Sequence, residues 1–332
     1  MADQNLEAQS VDVQALPIID VSGLRSADAA DRKAVSQALR GACLDKGFLY
    51  LTGHGISTEL RDAVFRETAS FFDLPVEEKE KINLTKSSCN RGYEPFQGQS
   101  LDPTAQPDLK EGFYSGREIP EDDPRVIASK FNHGPNQWPE AQPGFQPVME
   151  DYHARMVELG RLVMRGIALS LGLEESHFDT FCKDEIATLR LLHYPPQPAN
   201  PDPGEMGCGE HTDFGTLTFL MQDDCGGLQV RDDQAGWIHA EPVPDTYVVN
   251  LGDMMARWTN DTYHSTLHRV VNTSGRERYS VPFFYMGNPD YPVRCIETCL
   301  EEGDEPKYPD TTVVQHYQDM YRATYAEGTI TA

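Results

Sequence analysis

The spacing of apolar residues predicts alternating strands and helices in the first part of the chain. Short apolar runs at residues 17–21 and 48–52 predict two strands. Apolar residues that recur every three or four positions over 26–46 and 60–72 predict two helices. Gly47 stands directly after the first helix, where a glycine commonly ends one. We therefore predict an αβ N-terminal region.

The rest of the chain follows a different pattern. Apolar positions between Pro147 and Leu173 recur at helical spacing and predict one long amphipathic helix. From residue 186 onward, short apolar runs are separated by Gly, Asp and Pro, which favours an antiparallel sandwich or barrel over alternating strands and helices. Residues 94–144 are irregular apart from a predicted strand at 112–116. The short apolar runs from residue 186 onward indicate a jelly roll.

Taken together, these elements predict an α+β fold with a double-stranded β-helix (jelly-roll) core, flanking helices and an αβ N-terminal region. We expect a single compact unit with four segments. They are an N-terminal αβ region (1–145), backing helices (146–184), the jelly-roll core (185–290) and a C-terminal segment with a helical end (291–332).

A large negative charge limits the partners that the protein can have. The 332 residues include 28 Lys and Arg against 53 Asp and Glu, a formal net charge of −25. Such a surface repels nucleic-acid backbones and anionic membranes. No stretch approaches the roughly 20 apolar residues of a membrane-spanning helix, and residues 1–17 do not resemble a signal peptide. We expect a cytoplasmic protein without nucleic-acid or membrane partners.

The first candidate for chemistry is the sequence His211-Thr212-Asp213. In an extended segment, residues two apart point to the same side, so the side chains of His211 and Asp213 can meet at one point. His268, on a later predicted strand, supplies a second imidazole. Two imidazoles and one carboxylate are the ligand set of non-haem Fe(II) oxygenases, and such sets also serve catalytic zinc. The ligands alone leave both metals open.

A second candidate follows ten residues later, at Arg278-Tyr279-Ser280. The strand period places Arg278 and Ser280 on one face. A guanidinium beside a hydroxyl in an apolar strand suits binding of a carboxylate from a small organic acid. A salt bridge to a buried Asp or Glu is the alternative for an isolated R-x-S sequence. The position of Arg278 and Ser280 after the two histidines and the aspartate favours binding of a ligand carboxylate over a salt bridge.

These motifs resemble those of the iron(II)- and 2-oxoglutarate-dependent dioxygenases, specifically the isopenicillin N synthase-like branch. The resemblance covers most of the chain. Further segments that are similar to family landmarks, in family order, are Pro17–Asp20, Phe48–Ile56, Asn90–Tyr93, Asp108–Glu111, Leu189–Pro196, Gly226–Val230 and Asn250–Asp253.

The resemblance implies a role for each residue of the two motifs. His211, Asp213 and His268 would be the catalytic centre that binds Fe(II). Arg278 and Ser280 would hold the distal carboxylate of 2-oxoglutarate.

Three residues of one predicted strand bear on the same co-substrate. The resemblance implies that Tyr194 helps to seat 2-oxoglutarate. Many plant members have Asn at the position of Leu192, so this chain departs from the family there. Arg190 points to the same side and lines the pocket, or is paired elsewhere.

The resemblance also implies a reaction. The enzyme would use Fe(II), 2-oxoglutarate and O2, and would couple oxidative decarboxylation to succinate and CO2 with hydroxylation, desaturation or cyclisation of a small organic substrate. R-x-S indicates a carboxylate but does not identify it. A 2-oxoglutarate-independent Fe(II) oxidase of isopenicillin N synthase type and an ethylene- and succinate-forming enzyme therefore stay open. A metal-dependent hydrolase and a non-catalytic binding module are further alternatives.

The family builds the mouth of its substrate pocket from segments that supply six candidate contacts here. They are Asn90, Arg91, Tyr93, Phe113, Arg190 and Phe284. The expected partner is a small molecule, and the expected assembly is a monomer or weak dimer.

Overall fold

The computed structural model of the protein describes residues 16–99, 107–197 and 205–324. The α-helices in these ranges are α1 (Ala29–Asp45), α2 (Thr58–Phe72), α3 (Val76–Glu80), α4 (Pro124–Ile127), α5 (Phe145–Ser170), α6 (Asp253–Trp258) and α7 (Val313–Thr324). The strands are β1 (Ile18–Asp20), β2 (Phe48–Thr52), β3 (Gly92–Glu94), β4 (Glu111–Gly116), β5 (Ile186–Tyr194), β6 (Cys208–His211), β7 (Leu217–Gln222), β8 (Leu228–Asp232), β9 (Gly236–His239), β10 (Tyr247–Leu251), β11 (His268–Val270), β12 (Arg278–Gly287), β13 (Pro292–Val293) and β14 (Thr311–Thr312).

Eight strands form the major sheet, in the order β1–β2–β10–β7–β12–β5–β4–β3. β1 and β2 are parallel, and the other neighbours are antiparallel. Successive side chains of a strand point to opposite faces. In β5, Leu189 and Leu191 therefore join the core on the helical side, whereas Leu192 and Tyr194 join the core on the inner side.

Helix α5 covers the outer face of the major sheet, together with α1 and α2. Its buried residues recur every three or four positions and include Met149, Tyr152, Met156, Leu159 and Val163. Gly160 permits the close approach, because a Cβ there would lie 2.5 Å from the ring of Tyr285 in β12. The predicted long helix is confirmed, with ends two or three residues earlier than expected.

A second sheet, in the order β6–β11–β8–β9, packs against the inner face of the major sheet. Apolar side chains of both sheets, among them Val230, Val248 and Val270, form a separate buried cluster between them. Two antiparallel sheets packed face to face are the architecture of a jelly roll. The predicted α+β fold with a jelly-roll core is confirmed.

The major sheet joins the N-terminal region to the core, because it contains β1–β4 together with the jelly-roll strands β5, β7, β10 and β12. The predicted boundary at residue 145 falls at the start of α5, and the boundary at 185 falls just before β5. No helix within the described ranges is both long enough and apolar enough to cross a membrane.

Candidate active site

Three side chains that can bind one metal ion lie together. Candidate ligand atoms of His211, Asp213 and His268 are all within 4.8 Å of one another. The Nε2 atoms of the two histidines each lie 3.8 Å from Asp213 Oδ1. The centroids of the two imidazole rings are 4.2 Å apart. The structure thus brings together residues that are up to 57 positions apart in the sequence.

Strand pairing positions the two histidines. His211 ends β6, His268 begins β11, and the two residues are direct partners in the antiparallel register. Asp213 lies beyond the end of β6, where its main-chain carbonyl accepts a hydrogen bond of 2.7 Å from the N–H of Asp253. The side chains of His211 and Asp213 converge, although Asp213 itself lies outside the hydrogen-bonded strand. The carboxylate reaches the histidines from a turn that contacts the start of α6.

The hydrogen bonds around the three side chains leave one atom of each free for a metal. Asp213 Oδ2 accepts from Thr218 Oγ1 at 2.5 Å and from Asn250 Nδ2 at 2.7 Å, so Oδ1 is the oxygen that faces the histidines. His211 Nδ1 lies 2.8 Å from the Gly209 carbonyl, and His268 Nδ1 lies 3.2 Å from the Thr266 carbonyl.

A main-chain carbonyl can only accept, so in both histidines Nδ1 carries the proton and Nε2 offers its lone pair. Both Nε2 atoms are also the ones that face Asp213. The tautomer needed for metal binding is thus set by the main chain.

The electrostatics keep His268 and Asp213 in the protonation states that a metal requires. Burial, with help from His211, lowers the pKa of His268 to about 4, so its imidazole is neutral. Burial works to raise the pKa of Asp213, but the two histidines and both hydrogen-bond donors bring it below its ordinary value. A neutral imidazole and an ionised carboxylate are the forms that ligate metals.

Arg278 is a buried cation with an unused donor. The residue is 1% exposed, and its Nε donates to the Gly226 carbonyl at 2.6 Å. Its Nη2 lies 3.4 Å from Gln222 Oε1, and the ring of Tyr194 lies 4.8 Å from Cζ. Among the described residues, Nη1 is buried and has no hydrogen-bond partner. An unpaired buried donor on a cation is costly, so this geometry suits an anionic ligand.

Ser280 and Tyr194 lie next to Arg278. In the pairing of β12 with β5, Arg278 is opposite Tyr194 and Ser280 is opposite Leu192. Burial raises the pKa of Tyr194, so its phenol is neutral and can donate a hydrogen bond. Leu192 belongs to the apolar cluster between the sheets, so it provides packing where an Asn would provide a polar group.

Known proteins resemble the chain over nearly its whole length. Residues 16–141 match the family described as non-haem dioxygenase in morphine synthesis N-terminal, and residues 186–287 match the 2OG-Fe(II) oxygenase superfamily. The 2-oxoglutarate-Fe(II) type oxidoreductase hxnY of Emericella nidulans is 46% identical, over 94% of this chain and 90% of the relative. The chain belongs to the 2OG-Fe(II) oxygenase superfamily.

Two further proteins are similar to this 2OG-Fe(II) oxygenase. Homoarginine-6-hydroxylase of Oryza sativa is 39% identical, with 92% of this chain and 96% of the relative covered. A full-length Neurospora crassa protein, crystallised in complex with alpha-KG (2-oxoglutarate) and thymine, has a TM-score of 0.83 and 34% identity. That match covers 95% of this chain and 99% of the Neurospora crassa chain.

The reaction class follows from family membership. The enzyme uses Fe(II), 2-oxoglutarate and O2, and it couples decarboxylation of 2-oxoglutarate to succinate and CO2 with oxidation of a small organic substrate. The predicted function, enzyme class and cofactors are confirmed. The chain's own residues fit both Fe(II) and 2-oxoglutarate. One nitrogen from each histidine and one oxygen of Asp213 are available to the metal. The unpaired Nη1 of Arg278 is available to the co-substrate.

A cavity of about 140 Å³ lies beside the metal-binding residues in this 2OG-Fe(II) oxygenase. His211 and Asp213 form part of its wall. Of the six residues predicted to contact substrate, Asn90, Arg91, Arg190 and Phe284 line the cavity. Sequence reasoning missed the other side chains in its wall, which include Tyr114, Thr188, Phe214, Met286, Tyr317 and Tyr321.

Tyr93 and Phe113 do not line the cavity, so their assignment as substrate contacts is corrected. Both residues belong to the core on the helical side of the major sheet, at 2% and 0% exposure. Phe113 pairs with Leu191, whose side chain faces the helices, whereas the next residue, Tyr114, pairs with Arg190. The strand period therefore puts Tyr114 in the cavity wall and Phe113 behind it.

The C-terminal helix α7 supplies two tyrosines to the cavity wall. His316 Nε2 lies 2.8 Å from the Phe214 carbonyl and anchors the helix one residue after Asp213. Tyr317 lies over Gly215, where an added Cβ would come within 2.2 Å of the phenol oxygen. The spacing of Tyr317 and Tyr321 by four residues places them on one face of a helix, a signal that was visible in the sequence.

Replacing Thr218 by valine is expected to weaken Fe(II) binding about 10- to 100-fold, because Asp213 Oδ2 loses one of its two hydrogen-bond donors. An anaerobic Fe(II) titration measures the change. The matched control is Thr246→Val, which removes a hydroxyl that donates to the Val243 carbonyl in a turn. Equal Fe(II) affinities for wild type and Thr218→Val would contradict the role given to this hydrogen bond.

Proposed function

We propose that His211, Asp213 and His268 bind the Fe(II) of this oxygenase and that Arg278, Ser280 and Tyr194 bind 2-oxoglutarate. The observation that carries the proposal is the arrangement of free atoms. Both Nε2 atoms face Asp213 Oδ1. The buried guanidinium of Arg278 keeps Nη1 unpaired among the described residues.

The proposed roles of the chain's residues are to position the metal and the co-substrate and to compensate their charges. Asp213 is the single anionic ligand, so a ferrous site keeps a net positive charge that favours a dianionic co-substrate. Arg278 compensates the distal carboxylate, and Ser280 and Tyr194 supply neutral donors beside it. When bound, Fe(II) and 2-oxoglutarate supply the oxidising chemistry, in which O2 provides one oxygen atom to the succinate and the other to the oxidation of substrate.

We propose hydroxylation of a small molecule as the reaction. Two similar proteins support this choice, since one is named a homoarginine-6-hydroxylase and the crystal structure of the other, from Neurospora crassa, contains thymine. The cavity beside His211 and Asp213 has room for a substrate of similar size to thymine. We further propose a cytoplasmic monomer or weak dimer that does not bind nucleic acid. The net charge of −25 supports the last point, because such a surface repels nucleic-acid backbones.

Anaerobic addition of Fe(II) and 2-oxoglutarate tests the proposed function. We expect the weak visible charge-transfer band that a bound keto acid would give with ferrous iron. Succinate, which has both carboxylates but lacks the keto group, should give no band. Iron binding without a band in the presence of 2-oxoglutarate would overturn the assignment of the co-substrate site.

A further inference from the structure

Arg190 of β5 is a cation in the wall of the substrate cavity, and one of its terminal nitrogens is open to a ligand. The side chain is 9% exposed and lines the cavity. Its Nη2 donates to Glu94 Oε2 at 2.5 Å and to Gln99 Oε1 at 2.8 Å. The ring of Tyr114 lies 4.5 Å from Cζ. No described residue accepts a hydrogen bond from Nη1, so this group is available to a substrate.

Glu94 compensates the charge of Arg190 from behind the cavity wall. Glu94 is 7% exposed, and its carboxylate also accepts from the hydroxyl of Tyr114 at 3.2 Å. Burial works against the charged form of Arg190, but Tyr114 and Glu94 raise the pKa of the guanidinium above its ordinary value. A substrate therefore meets a fixed hydrogen-bond donor whose charge is already balanced.

Arg91, the second arginine at the cavity, has a different role. It is 1% exposed, and its Nη1 and Nη2 donate to the main-chain carbonyls of Cys89, Asn90 and Asn132. Its remaining nitrogen, Nε, is buried and has no hydrogen-bond partner among the described residues. Both terminal nitrogens of Arg91 thus hold the loop at the cavity rim and are not available to a ligand.

The remaining wall is largely aromatic and apolar. Phe214, Phe284, Met286 and Tyr317 line the cavity together with Arg190. A protein cavity of roughly 150 Å³ with apolar walls accepts a benzene ring. The volume of about 140 Å³ therefore fits a single ring.

We propose that the prime substrate is a neutral single-ring compound whose carbonyl or phenolic oxygen accepts a hydrogen bond from Arg190 Nη1. The inference rests on the proposed function and names its substrate class. A neutral oxygen acceptor gains a charge-assisted hydrogen bond at this point. A carboxylate would add an uncompensated negative charge beside the ion pair of Arg190 and Glu94, which is costly in a buried site.

Three probes of similar size test this substrate class. They are 2-pyridone, a neutral lactam; benzoate, an anion; and toluene, which has no polar group. Binding is measured by anaerobic calorimetry on the enzyme loaded with Fe(II) and 2-oxoglutarate, after the charge-transfer band has been recorded on the same sample. We expect 2-pyridone to bind at least about tenfold more tightly than either other probe, as expected for one good hydrogen bond to a charged donor.

The substitution Glu94→Gln makes the test specific for charge compensation. Glutamine keeps the shape and an acceptor for Arg190 but removes the negative charge. We expect benzoate to gain at least about tenfold in affinity, because the guanidinium is then uncompensated, while 2-pyridone changes by less than about threefold. Arg190→Gln should weaken the binding of 2-pyridone about tenfold. The matched control for Glu94→Gln is Glu185→Gln. This change removes the charge from a buried carboxylate that pairs with Arg161 at 2.8 Å and does not line the cavity.

Each outcome decides for or against the proposal. If the charge-transfer band forms, three results overturn the substrate class and leave the proposed function intact. They are tighter binding of benzoate or toluene than of 2-pyridone by the wild type, equal binding of the three probes, and no binding of any probe. An unchanged preference in Glu94→Gln also overturns it, provided that the variant unfolds at the temperature of the wild type. Absence of the band overturns the proposed function and the inference with it.

Discussion

Asp213→Ala is expected to abolish Fe(II) binding at concentrations that saturate the wild type and to lower turnover at least about 1000-fold. Asp213 is the one anionic residue among the three candidate ligands, and its Oδ1 lies 3.8 Å from each histidine Nε2. Without it, two neutral imidazoles are left to bind the metal. Iron content after anaerobic gel filtration and 2-oxoglutarate-dependent O2 uptake measure the two losses.

Two further variants separate the loss of a ligand from a loss of folding. Asp213→Asn keeps the shape of the side chain and should lose activity to a similar extent. Asp224→Ala is the matched control, since Asp224 belongs to the other group of acidic and cysteine side chains close enough to hold a metal but has an 83% exposed side chain. Retention of iron by Asp213→Ala, or its loss from Asp224→Ala, would place the metal elsewhere.

Arg278→Ala is expected to raise the Kd for 2-oxoglutarate about 100-fold, because a buried carboxylate loses its charged partner. Fe(II) affinity should change little, since Arg278 contacts Gly226, Gln222 and Tyr194 and none of the metal-binding residues. Titration of the charge-transfer band with 2-oxoglutarate measures the Kd, and an Fe(II) titration is run beside it.

The control for Arg278 is Arg276→Ala, two residues earlier on the chain. Its side chain is 57% exposed and pairs with Asp224 at 3.2 Å, so its loss should leave both affinities unchanged. Arg278→Lys keeps a charge without the planar fork of donors and should give an intermediate Kd. An unaltered 2-oxoglutarate affinity in Arg278→Ala would refute its role as the carboxylate anchor.

The sequence predicted the site best where its residues lie on regular strands. The period of two places Arg278 and Ser280 on one face of β12 and Arg190 and Tyr194 on the same face of β5, and the structure has both pairs on the inner side. Helical spacing likewise predicted α5 almost to its ends, because most of its buried face is apolar.

Prediction was incomplete or wrong where a side chain's orientation depends on a partner that is distant in sequence. Asp213 leaves the strand, and its carboxylate is oriented by Thr218 and Asn250, from β7 and β10. No local pattern shows that these two donors face one oxygen. Phe113 was predicted to line the cavity, whereas Tyr114 does so, and the cause is similar. Which of the two side chains faces the cavity follows from the register between β4 and β5.

Helix α7 is a separate wall for a reaction centre that is otherwise built from the jelly roll. The candidate metal ligands and carboxylate anchor lie within residues 194–280, whereas Tyr317 and Tyr321 come from residues 313–324. One part of the cavity wall and the oxidising centre are thereby encoded in different stretches of the gene. Evolution can graft a new C-terminal helix onto such a scaffold and change what is oxidised while the iron chemistry is inherited intact.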